Sequence, residues 1–128
     1  MSPIGKPLSG ITVGAVLLLA GQGLLPATAH ADTDKQLSAA QQRGQEIAFT
    51  RKLGNCLACH HIDGGQSPGN IAPPLFAMDV RFPDKVKLRA QIEDPMVANP
   101  ETSMPAFGKY KVLNDQQMDD LVEFIWNL

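Results

Sequence analysis

The chain has 128 residues, 44% hydrophobic but only 5% aromatic, with 11 basic and 13 acidic side chains for a net charge of −2. That mild acidity excludes the clustered basic surface a nucleic-acid partner requires. With so few aromatic side chains and ten prolines a protein-only core is thin, and a chain this small calls for a staple: disulfide, metal or bulky cofactor.

The N-terminal stretch reads as an export signal. Lys6 supplies a positive start, and Ile11 to Leu25 is a greasy run. "ATAHA" then sets Ala29 and Ala31 in the A-x-A arrangement a signal peptidase accepts, so residues 1–31 are expected to be removed before Asp32. The competing reading is an uncleaved anchor. Against it, the run is shorter than the ~20 residues that span hydrocarbon, and it contains Gly14, Gly21 and Gly23. No membrane span is expected after cleavage. Residues 32–128 then suffice for one domain, with ten basic side chains against thirteen acidic.

Leu37, Ala40, Gly44, Ile47, Ala48 and Arg51 recur at three- and four-residue spacing, which predicts a first helix from about Gln36 to Leu53. Gly44 falls inside the apolar stripe, where glycine costs up to ~1 kcal/mol. Close approach of another helix would explain it; a tolerated surface glycine is the alternative.

Next comes "NCLACHH", which holds both cysteines of the chain. Cys56, Cys59 and His60 form C-x-x-C-H, the haem c attachment signature. Two thiols one helical turn apart reach the vinyl groups on one edge of a porphyrin, and the adjoining imidazole offers iron a nitrogen donor. Three rivals stand beside this reading. A redox-active C-x-x-C normally opens a helix after a strand, and no alternating run precedes Cys56. A structural zinc needs four ligands, and only His60 and His61 lie nearby. A Cys56–Cys59 disulfide would close a loop too short to staple much of the chain. His61, one residue past the motif, points elsewhere than His60 and reads as solvated surface.

"IDGGQSPGNIAPPL" is a loop, dense in residues that interrupt regular structure. A further helix is predicted from Asp84 to Asp94, capped by Asp84, with Leu88 and Ile92 inward and Pro95 closing it. "PMVANPETSMPAFG" is a second loop. In the last helix, "NDQQMDDLVEFIWNL", Asn114 is the cap and Gln117 the reciprocal capping residue. Met118, Leu121, Val122, Ile125 and Leu128 line one face, with Phe124 and Trp126 on its flanks. The terminal helices are expected to cross at Gly44, against Phe124 or Ile125. With no convincing strand, the fold class is all-α, three to four helices.

If iron is present, its second axial position needs a donor, and no histidine follows His61. Methionine is the natural thioether. Met118 lies on the inward stripe of the last helix and Met78 follows the Pro73-Pro74 loop too closely for an easy wrap. Met96 and Met104 both sit in a loop able to cross an open face. Met104 is the preferred candidate: Pro105 holds it extended, and 44 residues separate it from His60. On the other side, a ligating imidazole usually donates its second N–H to a carbonyl. Pro73 either supplies that carbonyl or merely shapes its loop.

"GNCLACHHIDGG", "GNIAPPL" and "NPETSMPAFGKYKVLNDQQMDDLVEFIWNL" together resemble the SoxX subunits of the SoxAX cytochromes, a branch of the class I cytochrome c fold, from about Gly44 onward. The resemblance implies one haem c per chain, anchored by Cys56 and Cys59 with His60 and Met104 as axial ligands. "APPL" resembles the GPxL element of that fold, with Ala72 where glycine is common, which would make Pro73 the acceptor for His60. The family works in the periplasm as an electron-accepting relay beside a SoxA-like cytochrome subunit. That complex couples thiosulfate oxidatively to a carrier-protein cysteine and passes electrons to a soluble cytochrome c. The sulfur chemistry, an L-cysteine S-thiosulfotransferase activity, is assigned to the partner, and this chain has no third cysteine for it. A free-standing class I electron carrier is the alternative. Arg81, Lys85, Lys87, Arg89, Lys109 and Lys111 are either a docking patch for an acidic partner or an ordinary solvated face.

Overall fold

Ser38 starts the first helix through a reciprocal cap. Gln41 N–H donates to Ser38 Oγ at 3.2 Å and Ser38 N–H to Gln41 Oε1 at 2.8 Å, an arrangement that satisfies two otherwise orphaned amides. This is a computed structural model describing residues 36–128; the expected signal segment and its cleavage point lie outside the described residues. Helix α1 spans Ala39–Phe49, shorter at both ends than its periodicity predicts. Its start is fixed by the Ser38 cap. It ends because Thr50 turns extended, and the chain folds back so that Gly54 N–H donates to Ile47 C=O at 3.0 Å.

The described residues contain helices and 3-10 turns with no strand, in agreement with the all-α expectation. Helix α2, Met78–Arg81, is a single turn in a stretch to which the sequence assigns no element. Four residues are too few to show a period. It is placed by Met78, 2% exposed, whose N–H donates to Leu128 C=O at 3.2 Å. Helix α3, Lys85–Glu93, begins where Asp84 accepts from Lys87 N–H at 2.7 Å, and it buries Leu88 and Ile92. Pro95 opens a 3-10 turn directly after it.

Helix α4, Asp115–Trp126, carries the expected Asn114–Gln117 capping box and buries Met118, Leu121, Val122, Phe124 and Ile125. Phe124, expected on the flank, is 2% exposed and meets Phe49 edge-on, ring centroids 5.9 Å apart. Gly44 is where α1 crosses α4. A Cβ there would lie 2.1 Å from the Asp120 carbonyl oxygen and 2.6 Å from Phe124 Cβ, so only hydrogen fits.

Beside that crossing Arg43 grips Asp120 with two bonds, 2.7 and 2.8 Å, and Gln116 adds a third at 3.2 Å. Asp120 is 4% exposed. A buried carboxylate is tolerable only when paired and hydrogen-bonded in this way. The Arg43 guanidinium accordingly holds its carboxyl below the ordinary value.

Four of the six basic residues of the middle segment have partners within the chain. Arg89 pairs with Asp119 at 2.7 Å and Asp115 at 3.1 Å, Lys85 with Glu123, and Lys109 with Asp94 at 2.7 Å. Arg81 donates to the Pro74 carbonyl. Lys85 and Arg89 thus tie α3 to acidic residues of the last helix.

Candidate haem attachment site

The turn after α1 is set by Asn55, which adopts a left-handed backbone, φ 48°, a conformation asparagine tolerates better than most residues. A 3-10 turn, Cys56–Ala58, follows. Cys59 N–H and His60 N–H both close on the Cys56 carbonyl, at 3.2 and 2.9 Å. One tight turn therefore separates the two thiols and delivers His60 directly behind them. Ile62, 1% exposed, anchors the exit of the motif in the core.

Both cysteines are free and half-buried. Burial pushes the Cys56 thiol up to about 11. A nucleophilic C-x-x-C pair needs the opposite, a thiol lowered by a helix N-terminus or a nearby cation. No strand precedes the motif among the described residues, so neither feature favours the disulfide-exchange reading. Among those residues no group of three or more Cys, His, Asp or Glu is placed to hold a metal ion.

His60 Nδ1 lies 2.6 Å from the Pro73 carbonyl oxygen. A carbonyl can only accept, so the proton sits on Nδ1 and the lone pair is left on Nε2. The tautomer suited to metal ligation is thus imposed by the backbone. His61, by contrast, is exposed and reaches Asp63 at 3.4 Å.

The methionines separate by environment. Met118 and Met78 are core, 1% and 2% exposed. Met96 is half-buried in the 3-10 turn Pro95–Val97. Met104 is half-buried and packs against the core. Its loop is pinned at one end by Thr102 Oγ1, which accepts from Met104 N–H at 3.2 Å. At the other, Phe107 N–H donates to Ile92 C=O and Gly108 N–H to Glu93 C=O, each at 3.2 Å.

The residues present suit haem c. Two unpaired thiols stand a turn apart, the imidazole has its metal-binding nitrogen free, and a half-buried thioether lies at the margin of the core. A separate groove of about 550 Å³, lined by residues including His61, Asp63, Leu75 and Phe76, flanks the 61–76 loop, and none of the four donors lines it. Sequence reasoning did not find the contact of Arg81 with Pro74 or the backbone pairing along residues 69–75. Both depend on loop geometry that has no periodic signal.

A helical fold closed by crossing terminal helices, with C-x-x-C-H on a tight turn, defines a c-type cytochrome domain. The chain belongs to the cytochrome c family, whose model matches residues 41–128. It is also similar to a solved structure of SoxXA from P. pantotrophus, with 31% identity, a TM-score of 0.61, and coverage of 67% of this chain and 79% of that one. No curated protein sequence matches significantly. Among the described residues no helix is long and apolar enough to cross a membrane.

Proposed function

We propose that this chain is an exported, periplasmic monohaem c-type cytochrome and the electron-accepting relay subunit of a SoxAX-type complex. The observation that carries the reading is the likeness to SoxXA, 31% identity over two thirds of the chain, centred on a domain whose thiols, imidazole and thioether suit haem c. Cys56 and Cys59 would hold the group through thioether bonds, and His60 Nε2 and Met104 Sδ would be its iron donors. When bound, haem c supplies a one-electron ferric–ferrous couple.

The chain's own residues then have defined tasks. Cys56 and Cys59 fix the porphyrin edge to a turn whose ends are tied by backbone hydrogen bonds. Pro73 keeps the proton on His60 Nδ1 and strengthens Nε2 as a donor. Met104, as a neutral thioether, favours the reduced state relative to a second histidine. With His60 and Met104 both serving as iron donors, no site on the metal would be left for thiosulfate, and the role would be transfer of electrons rather than sulfur chemistry. Having only two cysteines, both assigned to attachment, the chain leaves the oxidative coupling of thiosulfate to the carrier cysteine to a SoxA-like partner. The carrier protein supplies the accepting thiol, and a soluble cytochrome c takes the electrons onward.

The test is reconstitution. The holoprotein is expected to co-elute with a SoxA-type subunit, and its haem to be reduced when thiosulfate and the carrier protein are both added. Elution alone, with the haem staying ferric, would point to a free-standing carrier.

A further inference from the structure

Residues 69–75 run back along the attachment motif as a strap. Gly69 N–H donates to Leu57 C=O at 2.7 Å, Ala72 N–H to Cys59 C=O at 3.1 Å, and Leu75 N–H to His61 C=O at 2.9 Å. The Pro73 carbonyl that meets His60 Nδ1 at 2.6 Å lies between the last two rungs.

Two further contacts fasten this strap. At its start, Gly69 is pressed so closely on the motif that a Cβ would lie 2.2 Å from the Ala58 oxygen, 2.7 Å from the Ala58 carbonyl carbon and 2.9 Å from Cys59 Cα. All three atoms are backbone, so no rotamer change could make room. Near its other end, Arg81 Nη1 donates to the Pro74 carbonyl at 2.8 Å and lies 3.3 Å from Met78 Sδ. Met78 is itself buried and bonded to the end of the last helical segment. The prolines between these fasteners have fixed φ, which leaves fewer ways to absorb a displacement at Pro74 before it reaches Pro73.

We propose that Gly69 and Arg81 are positioning residues for the His60 imidazole. Together they hold the Pro73 carbonyl against Nδ1, and through it they set the ring orientation and the donor strength of Nε2. The assignment rests on the haem reading above. A shortened, well-held Nδ1–H···O=C bond makes the imidazole a stronger donor and favours the oxidised metal, so loosening the strap raises the reduction potential. Loss of a nearby positive charge acts in the opposite direction, because the cation favours the less positive, reduced centre. Gly69→Ala changes no charge and isolates the positioning effect.

The experiment compares ferrous, ¹⁵N-labelled holoprotein of the parent with Gly69→Ala, Arg81→Gln and Arg81→Lys. Attached haem is verified by intact mass in each. Exchange of the His60 Nδ1 proton is expected to be roughly five- to tenfold faster in Gly69→Ala and Arg81→Gln. Arg81→Lys, which can still donate to Pro74, is expected to stay near the parent rate. The potential of Gly69→Ala is expected to rise. Unchanged exchange in haem-bearing Gly69→Ala and Arg81→Gln would overturn the assignment. If Gly69→Ala yields no folded holoprotein, the exposed Arg81 pair decides by the same criterion. A parent lacking attached haem would bring down the haem reading and this assignment with it, whereas unchanged exchange in haem-bearing variants brings down this assignment alone.

Discussion

Replacing Gly44 by alanine challenges the crossing that joins the two ends of the domain. The new Cβ would lie 2.1 Å from the Asp120 carbonyl oxygen and 2.6 Å from Phe124 Cβ, where a comfortable C···O approach is about 3.3 Å. One obstacle is backbone and the other is the root of a side chain, so rotamers give no relief. The helices must part by about 1 Å to restore that spacing. That movement strains the two Arg43–Asp120 bonds and the Phe49–Phe124 edge contact together. Overpacking costs ~1–3 kcal/mol, and alanine's better helix propensity returns ~1 kcal/mol. Because the clash opens two neighbouring contacts, the upper end of the cost applies, for a net loss of about 2 kcal/mol. In a domain of this size that lowers Tm by about 8–16 °C. Far-UV circular dichroism of the holoprotein during heating, with urea unfolding alongside, measures it. A Gly44→Ala protein as stable as the parent would refute the packing argument.

Other outcomes follow from the same geometry. The carboxyl of Asp120 is held low by Arg43, so its stabilisation is complete above the unfolded value of about 3.9 and is lost as pH falls through the lower folded value. Asp120→Asn should therefore flatten the acid limb of stability against pH below about pH 4, read as urea midpoints; limbs of equal steepness would contradict it. Met104→Ala should abolish the long-wavelength thioether-to-ferric absorption, and Met104→His should lower the potential, while Met96→Ala changes neither. His60→Ala should yield little stable holoprotein, because the bound group stabilises the folded state; normal holoprotein ligated through His61 would contradict the ligand assignment.

Local signals in this chain were readable wherever one or two residues suffice to define them. Asn114 with Gln117, and Asp84 ahead of α3, announce helix starts through their own side chains, and both caps form. Gly44 was conspicuous because glycine is out of place in an apolar stripe, and the helix crossing explains it. The C-x-x-C-H signature is local as well. What escaped was set by partners distant in sequence. Asp120 lies among the charges of α4, and nothing near it indicates that Arg43, 77 residues earlier, will bury it. The same holds for Arg89 with Asp119 and Lys85 with Glu123, which link α3 to α4. Helix α2 is too short to carry a period, and it exists because Met78 is buried. The strap over the motif is held by backbone bonds that any sequence could make; only Gly69, where no side chain fits, hints at it.

The central claim is covalent attachment of one haem through Cys56 and Cys59. Intact mass spectrometry of the denatured protein, purified from a host able to mature c-type cytochromes, tests it directly. The account predicts the polypeptide mass increased by one haem, an increment lost when both cysteines are replaced by serine. A protein found at the bare polypeptide mass under those conditions would contradict it.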